Sequence, residues 1–151
     1  MTMLEELKGI YCKKGGELKP FEKFEGEVRK GYRIEYEKKL NEIDVAFFGL
    51  ASGDLNPVHF DEDFASKTKF GGKVVHGMLT TSLVSAAVAR MPGTIVLLEQ
   101  GFRYVSPVRI GDTVRVEGVV TEVVKNRCKV DVKCFVDDKV VAEGWVRVLI
   151  W

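Results

Sequence analysis

A short polar stretch in the first half of the chain contains residues that can carry out acid and base chemistry. Asp54 and His59 lie five positions apart, with Asn56 and Pro57 between them, and the chain has only 2 histidines. Proline keeps the preceding residue out of the helical conformation, so we expect Asp54 and His59 on a stiff loop rather than on one helix face. A carboxylate and an imidazole placed there can divide proton transfer near neutral pH, and the Asn56 amide could orient either group or a water.

The same residues also have an ordinary structural interpretation. Aspartate and asparagine before proline are common turn residues, and a single histidine is more often packed or exposed than catalytic. Taken alone, the stretch slightly favours this interpretation. We expect no metal site, because His59 and His76 are 17 positions apart without a recognised ligand spacing, although Asp61 and Asp63 are nearby.

A second candidate feature is the stretch 73–85, in which His76 and Gly77 stand at the start of an apolar segment. Glycine at a helix N terminus leaves backbone N–H groups accessible, and the helix dipole favours negative charge there, so Gly77 is a candidate oxyanion site. Alternatively, Gly77 only permits close packing, and His76 is a structural neighbour of the cap. Ser85 could likewise bond a carbonyl one turn earlier in its own helix. The residues alone leave these alternatives open.

The elements that must position these residues follow from hydrophobic periodicity. Alternation over 24–40 predicts one strand or a pair, with a possible break at Gly31. Cap-like residues followed by apolar ones predict a short helix over about 42–52, which Gly53 would end in a left-handed conformation. The segment 78–91 contains no Gly or Pro and is apolar or small on every side, which predicts a helix buried all round.

After Pro92 the apolar residues recur with a period of two, which predicts four further strands. We expect a bulge at 118–120, where the alternation shifts, and a hairpin turn at 137–139. Neighbouring strands joined by short turns should be antiparallel. The economical arrangement is an α+β fold in which one antiparallel sheet wraps one buried helix.

Length and composition favour one domain, because 151 residues that are 46% hydrophobic suffice for one core. We expect an N-terminal leader at 1–20 and a single compact domain at 21–151. The 23 basic and 22 acidic residues nearly cancel without blocks of one sign, which indicates neither nucleic-acid binding nor a polybasic membrane patch.

The lengths of the apolar runs and the spacing of the cysteines bear on where the protein is located. No apolar run is long enough to span a bilayer, and MTMLEELKG has no apolar signal region, so we expect a soluble cytoplasmic protein. The 3 cysteines have no CxxC spacing, which argues against a disulfide framework and a zinc knuckle.

Several motifs resemble the MaoC-like family of (R)-specific enoyl-CoA hydratases over roughly residues 21–150. The most specific is Gly53-Asp54-Leu55-Asn56-Pro57-Val58-His59. Further matching residues are Asp61, Phe64, Ala65, Phe70-Gly71-Gly72, Val75-His76-Gly77-Met78, Phe102, Pro107-Val108 and Gly111-Asp112.

This resemblance implies a hot dog fold, in which an antiparallel sheet wraps a long central helix, and a homodimer or a dimer of dimers. It also implies addition of water to a trans-2-enoyl-CoA to give the (3R)-hydroxyacyl-CoA, or the reverse dehydration, without a cofactor or metal. The implied catalytic pair is Asp54 and His59. The Gly77 amide would bind the thioester carbonyl and Ser85 would support the histidine, while Asn56 and His76 complete the predicted substrate-binding set.

Two other functions remain open at this point. The same fold hosts acyl-CoA thioesterases, and a non-catalytic acyl-CoA binding domain would retain the same residues without turnover. Basic side chains that could meet the CoA phosphates are Lys67, Lys69, Lys73, Arg103 and Arg109. Candidates for the acyl pocket are Phe47, Phe48, Leu55, Phe60 and Met78, although such residues are more often core.

Overall fold

Five antiparallel strands and a long helix dominate the computed structural model, which describes residues 1–151. In chain order the elements are α1 (Met3–Lys13), β1 (Arg33–Lys39), α2 (Glu42–Ser52), a 3₁₀ turn (Pro57–His59), α3 (Glu62–Ser66), α4 (Gly77–Ala89), β2 (Ile95–Tyr104), β3 (Thr113–Val124), β4 (Arg127–Val136) and β5 (Lys139–Ile150). None of the helices has both the length and the apolar character needed to cross a membrane.

The sheet has the strand order β1-β3-β4-β5-β2, and every neighbouring pair is antiparallel. The predicted turn at 137–139 joins β4 to β5, and Asp137 adopts a φ of 53° there. The expected bulge lies slightly later than predicted, since the β3–β4 register shifts between Val120 and Glu122. Val116, Gly118 and Val120 all keep their inward orientation, so the alternation breaks only where the strand leaves the core.

Helix α4 packs on the concave face of the sheet and supplies much of the core. Its buried side chains include Leu79, Leu83, Val84, Ala87 and Val88, which join inward-facing valines of β3, β4 and β5 in one cluster. These observations confirm the predicted sheet around a central helix, the hot dog fold.

The prediction that α4 is buried on all sides is wrong for a single chain. Met78, Ser82 and Ser85 lie on one face of the helix and are exposed. Small residues and the absence of charge made every face look compatible with burial, but the sheet covers only the opposite side.

The structure confirms the predicted bounds of helix α2 and the glycine that ends it. Gly53 caps it with a φ of 84°, and its N–H donates to the carbonyl of Gly49. Only part of the predicted strand region 24–40 is a strand, because the backbone turns at Gly31, where φ is 94°.

The N-terminal segment contains a helix, α1, that sequence periodicity did not reveal. No residue of α1 is buried, although Tyr11 contacts the start of α2. The domain boundary placed near residue 21 stays a prediction.

Candidate active site

Asp54 follows directly from the end of α2 and is held by short-range hydrogen bonds. Its N–H donates to the Ser52 hydroxyl at 3.1 Å, and its Oδ1 accepts from the Asn56 N–H at 3.2 Å. Asn56 is extended, with φ −54° and ψ 124°, as expected before proline. Its side-chain oxygen accepts from the Val58 N–H at 3.4 Å, so the amide caps the 3₁₀ turn. The Asp54 carboxylate itself is exposed.

His59 ends the 3₁₀ turn, and its ring has a defined orientation. Nδ1 lies 2.7 Å from the carbonyl oxygen of Val74. A carbonyl only accepts, so Nδ1 carries the hydrogen, and the neutral ring presents Nε2 as a lone pair. Half-buried and held in this tautomer, His59 can take a proton from a bound molecule.

His76 lies beneath these two residues and is only 2% exposed. Its Nε2 lies 3.0 Å from the backbone carbonyl oxygen of Asp54, and its ring stacks on His59 with centroids 3.8 Å apart. Phe48 and Phe60 pack around the same ring. Burial lowers the pKa of His76 below its usual value, although the bond to Asp54 opposes that effect. Because it is buried, His76 can affect a substrate only through the residues that it supports.

The Asp54 carboxylate lies close to the ring of His59. A carboxylate oxygen of Asp54 and ring nitrogens of His59 and His76 all lie within 4.8 Å of one another. Two hydrogen bonds of about 2.8 Å through one water span that separation. A cavity of about 680 Å³ adjoins the loop and is lined by Asn56, His59 and Gly77 among others. The structure therefore brings the predicted pair close together, with His59 at the wall of a cavity.

The same three side chains are also the group most able to hold a metal ion, but their geometry does not suit one. Tetrahedral zinc needs lone pairs that converge on a single point. The rings of His59 and His76 are stacked and inclined by only 28°, so their in-plane lone pairs lie in two nearly parallel planes and do not converge readily on one point. Each ring also uses its other nitrogen on a backbone carbonyl. The expectation of a metal-free site stays a prediction, and this geometry supports it.

Gly77 is the first residue of α4, and its backbone faces the cavity. The first N–H groups of a helix have no intrahelical partner, and no side chain caps them here. A Cβ at Gly77 would lie 2.9 Å from the ring of Tyr104, so a larger residue there would displace that ring. The Tyr104 hydroxyl lies 3.0 Å from the hydroxyl of Thr81 on α4. An amide hydrogen at a helix N terminus beside a cavity is suited to an oxyanion.

Ser85 is not brought to the pair within one chain. It lies on the exposed face of α4, and no hydrogen bond joins it to His59, whose Nδ1 is bound to Val74. Its predicted support of the histidine stays a prediction.

The basic side chains near the cavity divide into paired and available groups. Lys73 pairs with Glu42 at 3.3 Å, and Arg103 pairs with Glu143. Arg109 donates to backbone carbonyls of the loop 70–73 and so holds that loop in place. Lys69 lines the cavity with no carboxylate partner, which leaves it available to an anion at the cavity mouth.

Comparisons with known proteins agree with this fold. The family model described as "MaoC like domain" matches residues 23–144. The chain belongs to the MaoC-like family. An (R)-specific enoyl-CoA hydratase of Rhodospirillum rubrum is 35% identical over 128 residues, covering 82% of this chain and 89% of that protein.

Solved structures of similar proteins have the same fold. An R-hydratase of Pseudomonas aeruginosa in its unliganded form has a TM-score of 0.75 and 36% identity, covering 82% of each chain. A protein of Archaeoglobus fulgidus has a TM-score of 0.98 and 80% identity, covering 99% of this chain and 96% of that one. This MaoC-like chain is a hydro-lyase, an enzyme that adds water to a double bond or removes it.

Sequence reasoning missed two contacts of the MaoC-like site. Tyr104 had only the signature of a strand residue, although it packs against Gly77. The stacking of His59 on His76 joins residues 17 positions apart, and no local spacing could have indicated it.

Proposed function

We propose that this protein catalyses the (R)-specific hydration of a trans-2-enoyl-CoA to a (3R)-hydroxyacyl-CoA, or the reverse dehydration. The observation that carries the proposal is the proximity of the Asp54 carboxylate to the ring of His59, which lines a cavity together with the Gly77 backbone. The relative named (R)-specific enoyl-CoA hydratase supports the substrate class.

In the proposed hydration, one water sits between Asp54 and His59. Asp54 accepts one hydrogen bond from this water, because one of its oxygens has no partner within the loop. His59 Nε2 takes the other proton as the water oxygen bonds to C3 of the enoyl group. The imidazolium then returns that proton to C2, which leaves the enzyme in its starting protonation state.

Charge develops on the thioester oxygen during this step, as the π electrons of the double bond move towards C2. The Gly77 N–H would donate to that oxygen, assisted by the dipole of α4. A donor held in place before the reaction stabilises the enolate-like transition state more than the substrate, which is the requirement for catalysis.

The chain would act as a homodimer or a dimer of dimers. Strand β2 is at an edge of the sheet and exposes Val96, Leu97 and Leu98, so its unpaired backbone can bind a second copy. The open face of α4 with Met78 and Ser85 would also be available to that copy. Light scattering on the purified protein tests this, and a monomer at micromolar concentration would contradict it.

Loss of the enoyl thioester absorbance with crotonyl-CoA tests the proposed activity. We expect the wild type to consume the band and yield the (3R)-alcohol by chiral analysis. Asp54→Asn and His59→Gln should each lower kcat by about 10²–10⁴-fold. Asp63→Asn is the matched control, because this exposed carboxylate lies nearby and makes no side-chain hydrogen bond or ion pair.

Two results would replace the hydratase proposal. Release of free CoA thiol while the double bond persists would identify a thioesterase. Binding of acyl-CoA without turnover across several chain lengths would identify a binding domain.

A further inference from the structure

His76 contacts both members of the catalytic pair, in two different ways. Its Nε2 faces the backbone carbonyl of Asp54 at 3.0 Å, and its ring face covers the ring of His59 at 3.8 Å. The loop bearing the pair is mostly exposed, and it is held by bonds within itself and by two bonds to Val74, one from His59 and one to Val58. His76 therefore connects the loop to the start of α4.

The hydrogen-bond pattern defines the tautomer of His76. A carbonyl oxygen only accepts, so the hydrogen is on Nε2, and Nδ1 is the lone pair of the neutral ring. Nδ1 is buried and has no hydrogen-bond partner. Protonation would place a second N–H there without an acceptor, at a high desolvation cost.

The surroundings of the ring also favour the neutral form. Phe48 and Phe60 pack around it, and the titratable groups that face it are Asp54 and His59. A second positive charge stacked on His59 would oppose the imidazolium that His59 must form during proton transfer.

We propose that His76 is a positioning residue that remains neutral and holds Asp54 and His59 in their reactive arrangement. Its N–H fixes the backbone at Asp54, and its face fixes the ring plane of His59. This inference rests on the proposed hydratase activity for its kinetic test, but its structural test needs no substrate.

Three substitutions separate the two contacts. His76→Gln retains an N–H for the Asp54 carbonyl, His76→Phe retains the ring face for His59, and His76→Ala retains neither. A misplacement of about 1 Å costs about 10²-fold in rate, so we expect His76→Ala to lower kcat to that extent with KM nearly unchanged. The glutamine and phenylalanine variants should each retain more of kcat than the alanine variant. Wild-type kcat in His76→Ala, or equal losses in all three variants, would overturn the proposal.

Nitrogen NMR on the wild-type protein tests the proposal even if a variant does not fold. The chain has 2 histidines, so one His59→Gln spectrum assigns both rings. We expect His76 to carry its hydrogen on Nε2 and to stay neutral at pH values where a free imidazole is protonated. A hydrogen on Nδ1, or protonation at the ordinary pH, would refute it. A wild type that fails to hydrate enoyl-CoA would instead refute the proposed function and leave this spectrum to decide the role of His76.

Discussion

The two ends of helix α2 each carry an aspartate, and their surroundings differ completely. At the N-terminal end, Asp44 is buried and accepts from the Tyr11 hydroxyl at 2.5 Å and from the Asn41 N–H at 2.8 Å. Lys38 lies 3.5 Å from the same carboxylate. Beyond the C-terminal end, Asp54 is exposed and accepts one backbone N–H. A carboxylate whose partners all belong to the protein stabilises the fold, whereas one with an open oxygen is available for chemistry.

The Asp44 cluster also explains how the N-terminal segment is attached. Tyr11 stacks on Phe47 and bonds Asp44, while Lys38 donates to the Glu17 carbonyl at 2.5 Å. These contacts connect the segment 1–20 to α2 and β1, at the opposite end of α2 from the loop that carries Asp54 and His59. We therefore expect changes at the two ends to affect different properties.

The largest expected stability effect comes from Asp44→Ala. Removing one partner of a buried ion pair typically costs about 3–5 kcal/mol, because the other charge stays buried without compensation. We expect the lower end of that range in urea unfolding, since Lys38 retains some solvent contact. Measured well below the unfolding transition, kcat should stay close to that of the wild type. Asp54→Asn is the matched control with the opposite profile, and similar profiles for the two variants would contradict the comparison.

A smaller effect is expected from Tyr11→Phe, which keeps the ring and removes only the hydroxyl. The lost bond to Asp44 is a hydrogen bond to a charged group, so the free energy of unfolding should fall by about 1.5–3 kcal/mol. Tyr32→Phe is the control, because that hydroxyl donates to the Glu25 carbonyl at 2.7 Å in an exposed position. Equal losses of unfolding free energy in the two variants would show that the hydroxyl in the Asp44 cluster contributes no more than an exposed one.

The smallest effect is an alkaline pH dependence of stability. Burial, followed by the hydrogen bond to Asp44, raises the pKa of Tyr11 well above its ordinary value. The folded state therefore favours the neutral phenol, so this contribution is complete below the unfolded pKa of about 10 and is lost as the pH rises beyond it. Urea unfolding at pH 8 and at about pH 11 should show a larger loss for the wild type than for Tyr11→Phe. A larger loss for the variant would contradict this assignment.

Local sequence patterns predicted most of the helices and strands, because capping residues and hydrophobic periodicity act over a few neighbouring residues. The cap residues and Gly53 bounded α2, and period-two alternation found the strands after Pro92. The predictions were wrong where a residue's burial depends on another element that packs against it. Helix α4 looked buried on every face, yet the side with Ser82 and Ser85 is open, because burial depends on what the sheet covers.

The candidate site divides in the same way. Residue type and spacing singled out Asp54, Asn56 and His59 as candidates, and the family resemblance implied their roles. Pro57 set the extended backbone before it. The stacking of His59 on His76 depends on how the loop folds back onto α4, which involves residues distant in sequence.

By itself, the amino-acid sequence determined the alternation of the strands, the ends of α2 and the chemical types available in the loop, since backbone preferences and side-chain chemistry act over a few residues. The tertiary structure alone decided which groups remain free to react. It buried and paired Asp44 while leaving Asp54 exposed, and it placed His76 beneath His59. The physical reason is that burial and hydrogen-bond partnership depend on segments far apart in the chain, which only the packed fold brings into contact.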